Sequence, residues 1–336
     1  MRIAVDAMGG DNAPFEIVKG CVQACDRVDD QIILVGKEAL IQAELDKYEG
    51  QYAPGHIVVQ NADDVIHSDE SPVQAVRKKT GSSMVVAMDM VKRGEADAVL
   101  SAGNTGALMV AGLLRLGRIP GVERPAIVSP FPHIDGSGFS LLTDAGANAE
   151  CWASNLLCFA KMGSIYMTAA FKKENPTVGL INIGTEENKG TEMFKEAYKL
   201  LKDSDLNFVG NVEARELSSG AADVMVCDGF TGNIVLKLAE GVALDIMKTV
   251  KQTVSEGAVS KVGGLLLKGK LRGLKSRLDY SVYGGAPILG LKGAVFKMHG
   301  SSKAFAVENA LVRASAAISA GFIDTIAEAM KEPAQE

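Results

Sequence analysis

The sequence predicts an α/β fold built on a mostly parallel sheet. The main observation is a repeated unit in which an apolar strand ends in a loop of small and polar residues, and a helix follows directly. This order favours parallel strands with helices packed on the sheet faces. The composition agrees, because the chain is 47% hydrophobic but only 5% aromatic and contains 36 glycines, as is typical of buried aliphatic strands joined by tight loops. The unit occurs at 96–114, 178–201, 222–241 and, less regularly, 294–311.

The first part of the chain alternates short aliphatic runs with longer amphipathic segments. The short runs indicate strands and the amphipathic segments indicate helices, with glycine, proline and charged residues between them. The predicted strands are 2–7, 31–36, 56–60 and 96–103, and the predicted helices are 14–27, 38–47, 71–79, 82–94 and a segment that ends near 116.

The second part opens with two strands in direct succession, 124–132 and 138–148, joined by a turn of proline, glycine and aspartate. This succession predicts an antiparallel pair, at a sheet edge or in a dimer-forming arm. A helix over 151–172 and further strand–helix units to about 250 follow, and a final long helix is expected over 302–330. Since no low-complexity linker divides the chain, we expect a single α/β domain over 1–336.

Charge and residue counts limit the classes of function. The net charge is −6, so any surface that binds an acidic partner must be local, and we expect no nucleic-acid partner. The five cysteines are odd in number and form no CxxC motif, which favours reduced thiols in a cytosolic protein. The four histidines lack zinc-type spacing. We find no signal-peptide core and no apolar run of about 18 residues, so no membrane span is expected.

The composition changes at 257–278, which holds six basic residues and no acidic one, with leucines at helical spacing. We interpret 245–280 as a helical hairpin that protrudes from the sheet, and we expect Gly263 and Gly264 to end the preceding helix. The hairpin can be a merely exposed basic helix pair, pack against its twin in a homodimer, or lie on an anionic membrane surface. Candidate docking residues within it are Leu267, Lys268, Lys270, Leu271 and Arg272.

A second basic cluster lies at Arg77, Lys78 and Lys79. Such a run is usually a solvated helix face. In an acidic protein it can also dock an acidic partner, so it is the other candidate docking surface.

The loops at the predicted strand ends carry hydrogen-bonding side chains and few groups that could act as strong bases. In parallel sheets this edge is where ligands bind, and helix N-termini there favour an anion. Helix capping explains some of the same residues. The pattern therefore suits a phosphate-binding site better than a proton-abstracting site. The candidate residues are Asp6, Gly9, Gly10, Ser101, Asn104, Thr105, Lys189, Thr231 and Asn233, of which Asn233 could donate its amide to an oxyanion.

Two nucleotide-binding motifs are excluded. Gly264, Gly269 and Lys270 match the skeleton of a P-loop, but Leu271 stands where Ser or Thr is required and no strand precedes the motif. A GxGxxG fingerprint is absent, which argues against an ordinary NAD-binding fold.

Cys227 lies at a predicted strand end. Its thiol is either a buried small apolar group or a nucleophile, and the first alternative is favoured because burial is the common fate of a free cysteine.

The motifs taken together resemble the bacterial phosphate acyltransferase family. The ordered set covers residues 1 to about 320 and is specific as a series, although each fragment alone is weak. It consists of RIAVDAMGGDNAP, SPVQAVRKKTGSSM, SAGNTGALM, DAGAN, NIGTEENKG, GNVEARE, DGFTGN, YGGAPILGL and HGSS.

The resemblance implies a three-layer α/β/α fold similar to isocitrate and isopropylmalate dehydrogenases. It implies transfer of a fatty acyl group from acyl carrier protein to inorganic phosphate, and use of the acyl phosphate by a membrane-bound glycerol-3-phosphate acyltransferase in phospholipid synthesis. It further implies a cytoplasmic homodimer that associates peripherally with the membrane, without cofactor or metal. Lys189 and Asn233 become the expected catalytic residues, and His299, in the HGSS motif, becomes a substrate-binding candidate.

Two other function classes stay open at this point. One is an oxidoreductase on a similar fold, for which the scarcity of acidic residues at strand ends gives little support. The other is a scaffold protein that uses its basic hairpin to recruit partners to a membrane. NAD titration and a phosphate-dependent thiol-release assay would distinguish these classes from the acyltransferase.

Overall fold

The computed structural model describes residues 1–277 and 283–331 of the 336-residue chain. Two compact units divide it. Unit 1 comprises Met1–Ser129, Lys161–Asn175 and Ser281–Glu336, and unit 2 comprises Pro130–Ala160 and Pro176–Tyr280. This division concerns compactness rather than independent folding, so the expectation of a single domain stays a prediction.

The strands are short and aliphatic, as the sequence predicts. In chain order they are β1 (Arg2–Asp6), β2 (Gln31–Gly36), β3 (Ile57–Asn61), β4 (Ala98–Ser101), β5 (Ala126–Pro132), β6 (Phe139–Thr143), β7 (Thr177–Asn182), β8 (Asn207–Glu213), β9 (Val224–Val226), β10 (Ala286–Leu289) and β11 (Ala294–Lys297).

The helices follow the strands in most cases. They are α1 (Phe15–Ala24), α2 (Glu38–Leu45), α3 (Pro72–Lys78), α4 (Ser83–Lys92), α5 (Thr105–Arg115), α6 (Ala153–Phe171), α7 (Glu192–Lys202), α8 (Gly229–Ser255), α9 (Ala258–Arg277), α10 (Ala304–Ser319) and α11 (Phe322–Ala329). Helix α6 contributes residues to both units.

In unit 1 the strand order is β3-β2-β1-β4-β11-β10, followed by the start of β5. Strands β3, β2, β1, β4 and β11 are parallel, whereas β10 is antiparallel to its neighbours. In unit 2 the order is β6-β9-β7-β8, and these strands are parallel. Four consecutive residues are buried in both β1 and β4, which means that both faces of the sheet are covered. The predicted α/β class is confirmed.

Two of the predicted elements differ from the structure, and one strand was missed. The pair β5 and β6 does not lie at a sheet edge, because β5 pairs with β10 and β6 pairs with β9, whereas a dimer-forming arm stays a prediction. The final helix is divided into α10 and α11, with a bend of 51°, at Gly321, which adopts the left-handed conformation with φ +67°. Strand β10 was not predicted, because its run between glycines is only four residues long.

The predicted hairpin is present as α8 and α9, but its turn lies at Glu256 and Gly257. Gly263 and Gly264 do not end a helix; both lie inside α9. Gly264 is needed for packing, because a Cβ at this position would lie 2.0 Å from Cγ1 of Val254 in α8. Residues 278–280, the end of the predicted hairpin, lie outside the described residues.

Within the described residues, no single helix is both long and apolar enough to cross a membrane. The bent pair α10 and α11 meets these criteria only when the two helices are taken together.

Candidate functional site

The carboxyl ends of three neighbouring strands in unit 1 carry polar residues at the same level. The register pairs Asp6 of β1 with Ser101 of β4, and Ser101 with Lys297 of β11. Parallel pairing brings the loops that follow these strands together at one edge of the sheet. Candidates as far apart in sequence as Asp6 and His299 are therefore brought to one edge of this unit.

Asp6 is buried and lies beneath this group of loops. Its carboxylate accepts hydrogen bonds from the hydroxyls of Ser83 and Ser101, each at 2.6 Å, and from the backbone N–H of Met8 at 3.2 Å. Burial raises the pKa of the carboxyl group, and the two serine hydroxyls oppose this shift. A buried carboxylate with these partners supports the loops and is poorly suited to contact an anion directly.

The first loop is packed tightly against the last one. The backbone N–H of Asp11 donates to the carbonyl of Gly300 at 2.8 Å, and the Asn12 amide donates to the carbonyls of Ser301 and Ser302 at 3.1 and 3.2 Å. A Cβ on Gly10 would lie 2.9 Å from the Gly300 oxygen, and one on Gly9 would lie 2.5 Å from Oδ2 of Asp6. The two glycines thus permit close packing of the backbone in this loop.

His299 is exposed, and its Nδ1 lies 2.7 Å from Oγ of Ser301. It is therefore at the surface of the unit 1 loops, where a substrate could reach it. A substrate contact by His299 stays a prediction.

Asn104 caps helix α5, which is one of the two alternatives that the sequence analysis gave for the residues of this loop. Its Oδ1 accepts from the N–H of Ala107 at 3.0 Å, while its amide donates to the carbonyl of Ser68, also at 3.0 Å. The side chain is thus committed within the protein. The first-turn N–H groups of Thr105 and Gly106 have no acceptor among the described residues, so at this helix start they, rather than the Asn104 side chain, are available to a ligand.

Lys297 is a cation that the sequence prediction missed. It is half-buried at the end of β11, and its charge acts on the Asp6 carboxylate. Its position at the end of a strand is the signal that could have identified it. The strand–helix unit at 294–311 is irregular, however, so the end of the strand is not clear from the sequence.

Unit 2 has its own group of strand-end loops. Strands β6, β9 and β7 are neighbours and parallel, and the loops 144–148, 227–228 and 183–190 follow them. Lys189 lies in the last of these loops, and Asn233 lies in helix α8, which begins just after the second. Both residues are therefore at the same edge of this unit.

Lys189 is exposed on a short turn. Its N–H donates to the carbonyl of Glu186 at 3.1 Å, and its Nζ lies 3.7 Å from Oε1 of Glu186. The other acid of the turn, Glu187, pairs instead with Lys202 at 2.6 Å. Among the described residues the Lys189 ammonium group therefore has a single, long ion pair, and the side chain is exposed to solvent.

The loop after β6 is built around the buried carboxylate of Asp144, which accepts from the N–H groups of Gly146, Ala147 and Asn148 at 2.7–3.1 Å. This loop packs against the start of α8. The N–H of Gly229 donates to the carbonyl of Asn148 at 2.7 Å, and a Cβ on Gly232 would lie 1.9 Å from the carbonyl oxygen of Asp144. Only glycine allows this contact at position 232.

The start of α8 is capped by Asp228, whose carboxylate accepts from the N–H and the hydroxyl of Thr231 at 2.9 and 2.7 Å. Thr231 is thus used as part of the cap, and a phosphate contact by its hydroxyl stays a prediction. Asn233 is exposed, and its side chain lies beside Gly146, where a Cβ would be 3.3 Å from the Asn233 Cβ. Among the described residues the Asn233 amide has no hydrogen-bond partner, so it can serve a ligand.

Cys227 is fully buried in the sheet, next to this loop. Burial, followed by the charge of Asp228, raises the pKa of its thiol well above the ordinary value. The thiol therefore stays protonated at neutral pH, which favours the small buried residue over the nucleophile.

The two basic docking candidates differ in how free their charges are. Arg77 and Lys78 are exposed at the end of α3, whereas Nζ of Lys79 lies 2.8 Å from Glu70 and 3.6 Å from Asp64. Lys79 therefore already has acidic partners within the protein. In α9, Leu267, Lys268 and Lys270 are exposed and Leu271 is half-buried, while the side chain of Arg272 lies outside the described part of the structure.

Large apolar side chains next to the unit 2 loops are exposed. Trp152, Ile183 and Phe230 are 70%, 81% and 62% exposed, and each follows one of the three neighbouring strand ends. Exposed apolar groups beside polar loops are typical of binding surfaces. A lysine and an amide donor are suited to bind an anion, and the apolar side chains beside them are suited to contact an acyl chain.

The fold defines an α/β class of protein in which polar loops follow parallel strands, at the sheet edge where ligands of such folds bind. Comparison with known proteins specifies the class further. The family model described as "Fatty acid synthesis protein" matches residues 1–325. Phosphate acyltransferase of Alkaliphilus oremlandii (strain OhILAs) is 51% identical over 94% of this chain and 92% of its own. Phosphate acyltransferase of Clostridium acetobutylicum is 48% identical over 99% of both chains. The chain belongs to this family of phosphate acyltransferases, and it is an acyltransferase.

Solved structures support the fold alone. A phosphotransacetylase from Streptococcus pyogenes superposes with a TM-score of 0.61 at 17% identity, covering 95% of this chain and 94% of that one. A protein described as a "putative 4-hydroxythreonine-4-phosphate dehydrogenase from Salmonella typhimurium" gives a TM-score of 0.53 at 12% identity, covering 94% of this chain and 98% of that one. The predicted similarity to dehydrogenase-like folds is confirmed.

Proposed function

We propose that the protein transfers a fatty acyl group from the thioester of acyl carrier protein to inorganic phosphate. The proposal rests on membership of the phosphate acyltransferase family. The structural observation that supports it is that the exposed ammonium group of Lys189 and the exposed side-chain amide of Asn233 lie at the same edge of unit 2.

In the proposed reaction hydrogen phosphate is the nucleophile. One of its oxygens forms a bond to the thioester carbonyl carbon, and the carbonyl electrons move onto oxygen. The tetrahedral intermediate collapses, the carbon–sulfur bond breaks, and the carrier leaves as a thiolate. The phosphoryl group gives up its proton through solvent and the thiolate takes one up, so that the products are an acyl phosphate and the carrier thiol. Because a thiol has a pKa of about 8.5, it leaves without a strong general acid.

Lys189 would neutralise the charge of the phosphate and hold it for attack. Asn233 would donate its amide to the developing oxyanion, a contribution of about 3–4 kcal/mol for one well-placed donor. No covalent acyl-enzyme is needed, in agreement with the buried, protonated Cys227. The roles expected for Thr105 and His299 in the unit 1 loops stay separate predictions, whereas Ser101 is buried and its hydroxyl donates to Asp6.

The acyl chain needs an apolar surface close to the reacting groups. Trp152, Ile183 and Phe230 are suited to this role because they are exposed: Ile183 begins the loop of Lys189, Phe230 lies three residues before Asn233, and Trp152 follows the loop after β6. Burying such side chains against an acyl chain would remove apolar area from water at about 25 cal/mol per Å².

The acidic carrier protein would dock on a basic surface, either on Arg77 and Lys78 or on the lysines of α9. The product, an acyl phosphate, would be used by a membrane-bound glycerol-3-phosphate acyltransferase. We also propose a cytoplasmic homodimer, bound peripherally to the membrane. Pairing with a second copy is supported by exposed apolar residues spaced by four along α8, namely Ile234, Leu238, Val242 and Ile246. Contact with lipid is supported by the exposed leucines of α9, namely Leu265, Leu266 and Leu267.

A direct assay tests the reaction. Acyl carrier protein loaded with a long-chain acyl group is mixed with the enzyme, and free carrier thiol is measured with and without phosphate. We expect thiol release only with phosphate, together with an acyl hydroxamate after hydroxylamine trapping. Thiol release without phosphate, or an acyl group found covalently on the enzyme, would contradict the proposal.

A further inference from the structure

The turn that carries Lys189 rests on two buried amides, Asn182 at the end of β7 and Asn211 in β8. The Asn211 amide donates to the carbonyl of Glu186 at 2.8 Å, and the Asn182 amide donates to the carbonyl of Lys189 at 3.1 Å. The two contacts hold the first and last residues of the same turn.

The two amides are also joined to each other. Nδ2 of Asn182 donates its second hydrogen to Oδ1 of Asn211 at 3.1 Å, and Oδ1 of Asn182 accepts from the N–H of Ile183 at 2.8 Å. The pair thus makes a continuous set of hydrogen bonds between two parallel strands and the loop above them. Buried amides with their partners satisfied fix a single conformation, whereas loss of one donor leaves a buried carbonyl without its partner.

We infer that Asn182 and Asn211 are positioning residues for the transfer reaction, because they fix the turn that presents the Lys189 ammonium group to phosphate. The inference rests on the proposed function of Lys189. It assigns a role to two further residues that contact neither phosphate nor the acyl thioester. Lys189 has a flexible side chain with one long ion pair, so its backbone is what restricts where the charge can lie. A displacement of about 1 Å at such a group can lower a rate by about 100-fold.

The first test is Asn211→Asp, which keeps the shape of the side chain but removes the donor to Glu186. Initial rates are measured with phosphate varied at saturating acyl carrier protein, and then with the carrier varied at saturating phosphate. We expect kcat/KM for phosphate to fall by about 10- to 100-fold, with KM for the carrier unchanged. Asn309→Asp is the matched control, since Asn309 is a buried asparagine of unit 1 whose Oδ1 accepts from Arg27. It should leave both parameters unchanged.

The second test combines Asn211→Asp with Lys189→Ala at high enzyme concentration. A residue that acts only through Lys189 loses its effect when Lys189 is absent, so the additional change should be less than about twofold. A merely structural residue would instead lower the rate equally in both backgrounds, and that result would overturn the inference. Thermal unfolding of each variant measures the structural effect separately.

A third variant disturbs the same turn and leaves both asparagines in the sequence. Gly190→Ala would place a Cβ 2.7 Å from Oδ1 of Asn182, at a position where φ is +88°. It should reproduce the selective loss toward phosphate even if Asn211→Asp does not fold. Unchanged phosphate kinetics in a folded Asn211→Asp or Gly190→Ala variant would contradict the inference. Full activity of Lys189→Ala would instead contradict the proposed function.

Discussion

The Nζ atom of Lys189 lies 3.7 Å from Oε1 of Glu186 on its own turn, and the Lys189 side chain is 44% exposed. An exposed pair at this distance contributes little to stability. We therefore predict that Lys189→Ala lowers turnover by about 100-fold or more and leaves the unfolding midpoint within about 1 °C of the wild type. Phosphate-dependent thiol release and calorimetry measure the two quantities. Lys195→Ala is the control, because Lys195 pairs with Glu192 in α7 in a similar way. Retained activity in Lys189→Ala would remove its role.

Asn233→Ala is expected to lower kcat by about 10²- to 10³-fold and to change KM for phosphate much less, because an oxyanion donor acts in the transition state. The exposed side chain has no partner among the described residues, so folding should be preserved. Lys237→Ala, one turn further along α8 and also exposed, is the matched control. A kcat equal to that of the wild type would argue against an oxyanion contact.

Cys227 provides a test of pH dependence. Because burial raises its thiol pKa, the group stays protonated from about pH 6 to about pH 9, and no thiolate forms in this range. The pH–rate profiles of the wild type and Cys227→Ala should therefore have the same shape, with kcat within about threefold. A limb of the wild-type profile that disappears in Cys227→Ala, or a stable acyl adduct on the thiol, would support the nucleophile instead.

The apolar side chains beside the loops should determine preference for acyl-chain length. We predict that Trp152→Ala and Ile183→Ala lower kcat/KM more for long-chain than for short-chain acyl carrier protein, since each buried methylene is worth about 0.8 kcal/mol. The same substitution at Leu40, an exposed apolar residue of α2, should have no effect on either substrate. Equal losses for both chain lengths would place the acyl chain elsewhere.

The membrane proposal predicts that charge reversal of Lys268, Lys270 and Arg272 to glutamate abolishes sedimentation with vesicles of anionic phospholipid. Each basic residue near such a surface is worth about 1 kcal/mol. A control variant reverses Lys19, Lys92 and Lys172, which are exposed in unit 1. Vesicles of zwitterionic phospholipid should bind neither protein. Unchanged sedimentation of the hairpin variant would refute the proposal.

Much of the fold could be predicted because strands and helices leave local periodic patterns. The unit at 96–114 is observed as β4 and α5, and the unit at 222–241 as β9 and the start of α8. The predictions failed where a local signal is ambiguous. Gly263 and Gly264 were predicted to break a helix. Gly264 instead allows close packing of the hairpin, because Val254 of α8 lies where a side chain at position 264 would be.

The candidate site shows the same limit. Asn104 was recognisable as a candidate cap because a cap lies next to the helix that it caps. The support that Asn182 and Asn211 give to Lys189 was not recognisable, because the two residues are 29 positions apart and meet only when β7 and β8 pair. Lys297 likewise becomes part of the Asp6 loops only through the register of β11 on β4.

The sequence by itself determined the α/β class, the family resemblance and the loops that carry the candidate chemistry, because these depend on residue type and short-range spacing. Only the tertiary structure decided which polar side chains are hydrogen-bonded within the protein and which are exposed to solvent. Asp6, Asn104 and Thr231 are engaged by partners, while Lys189 and Asn233 are exposed. The physical reason is that burial and hydrogen bonding depend on neighbours that the fold brings from distant parts of the chain.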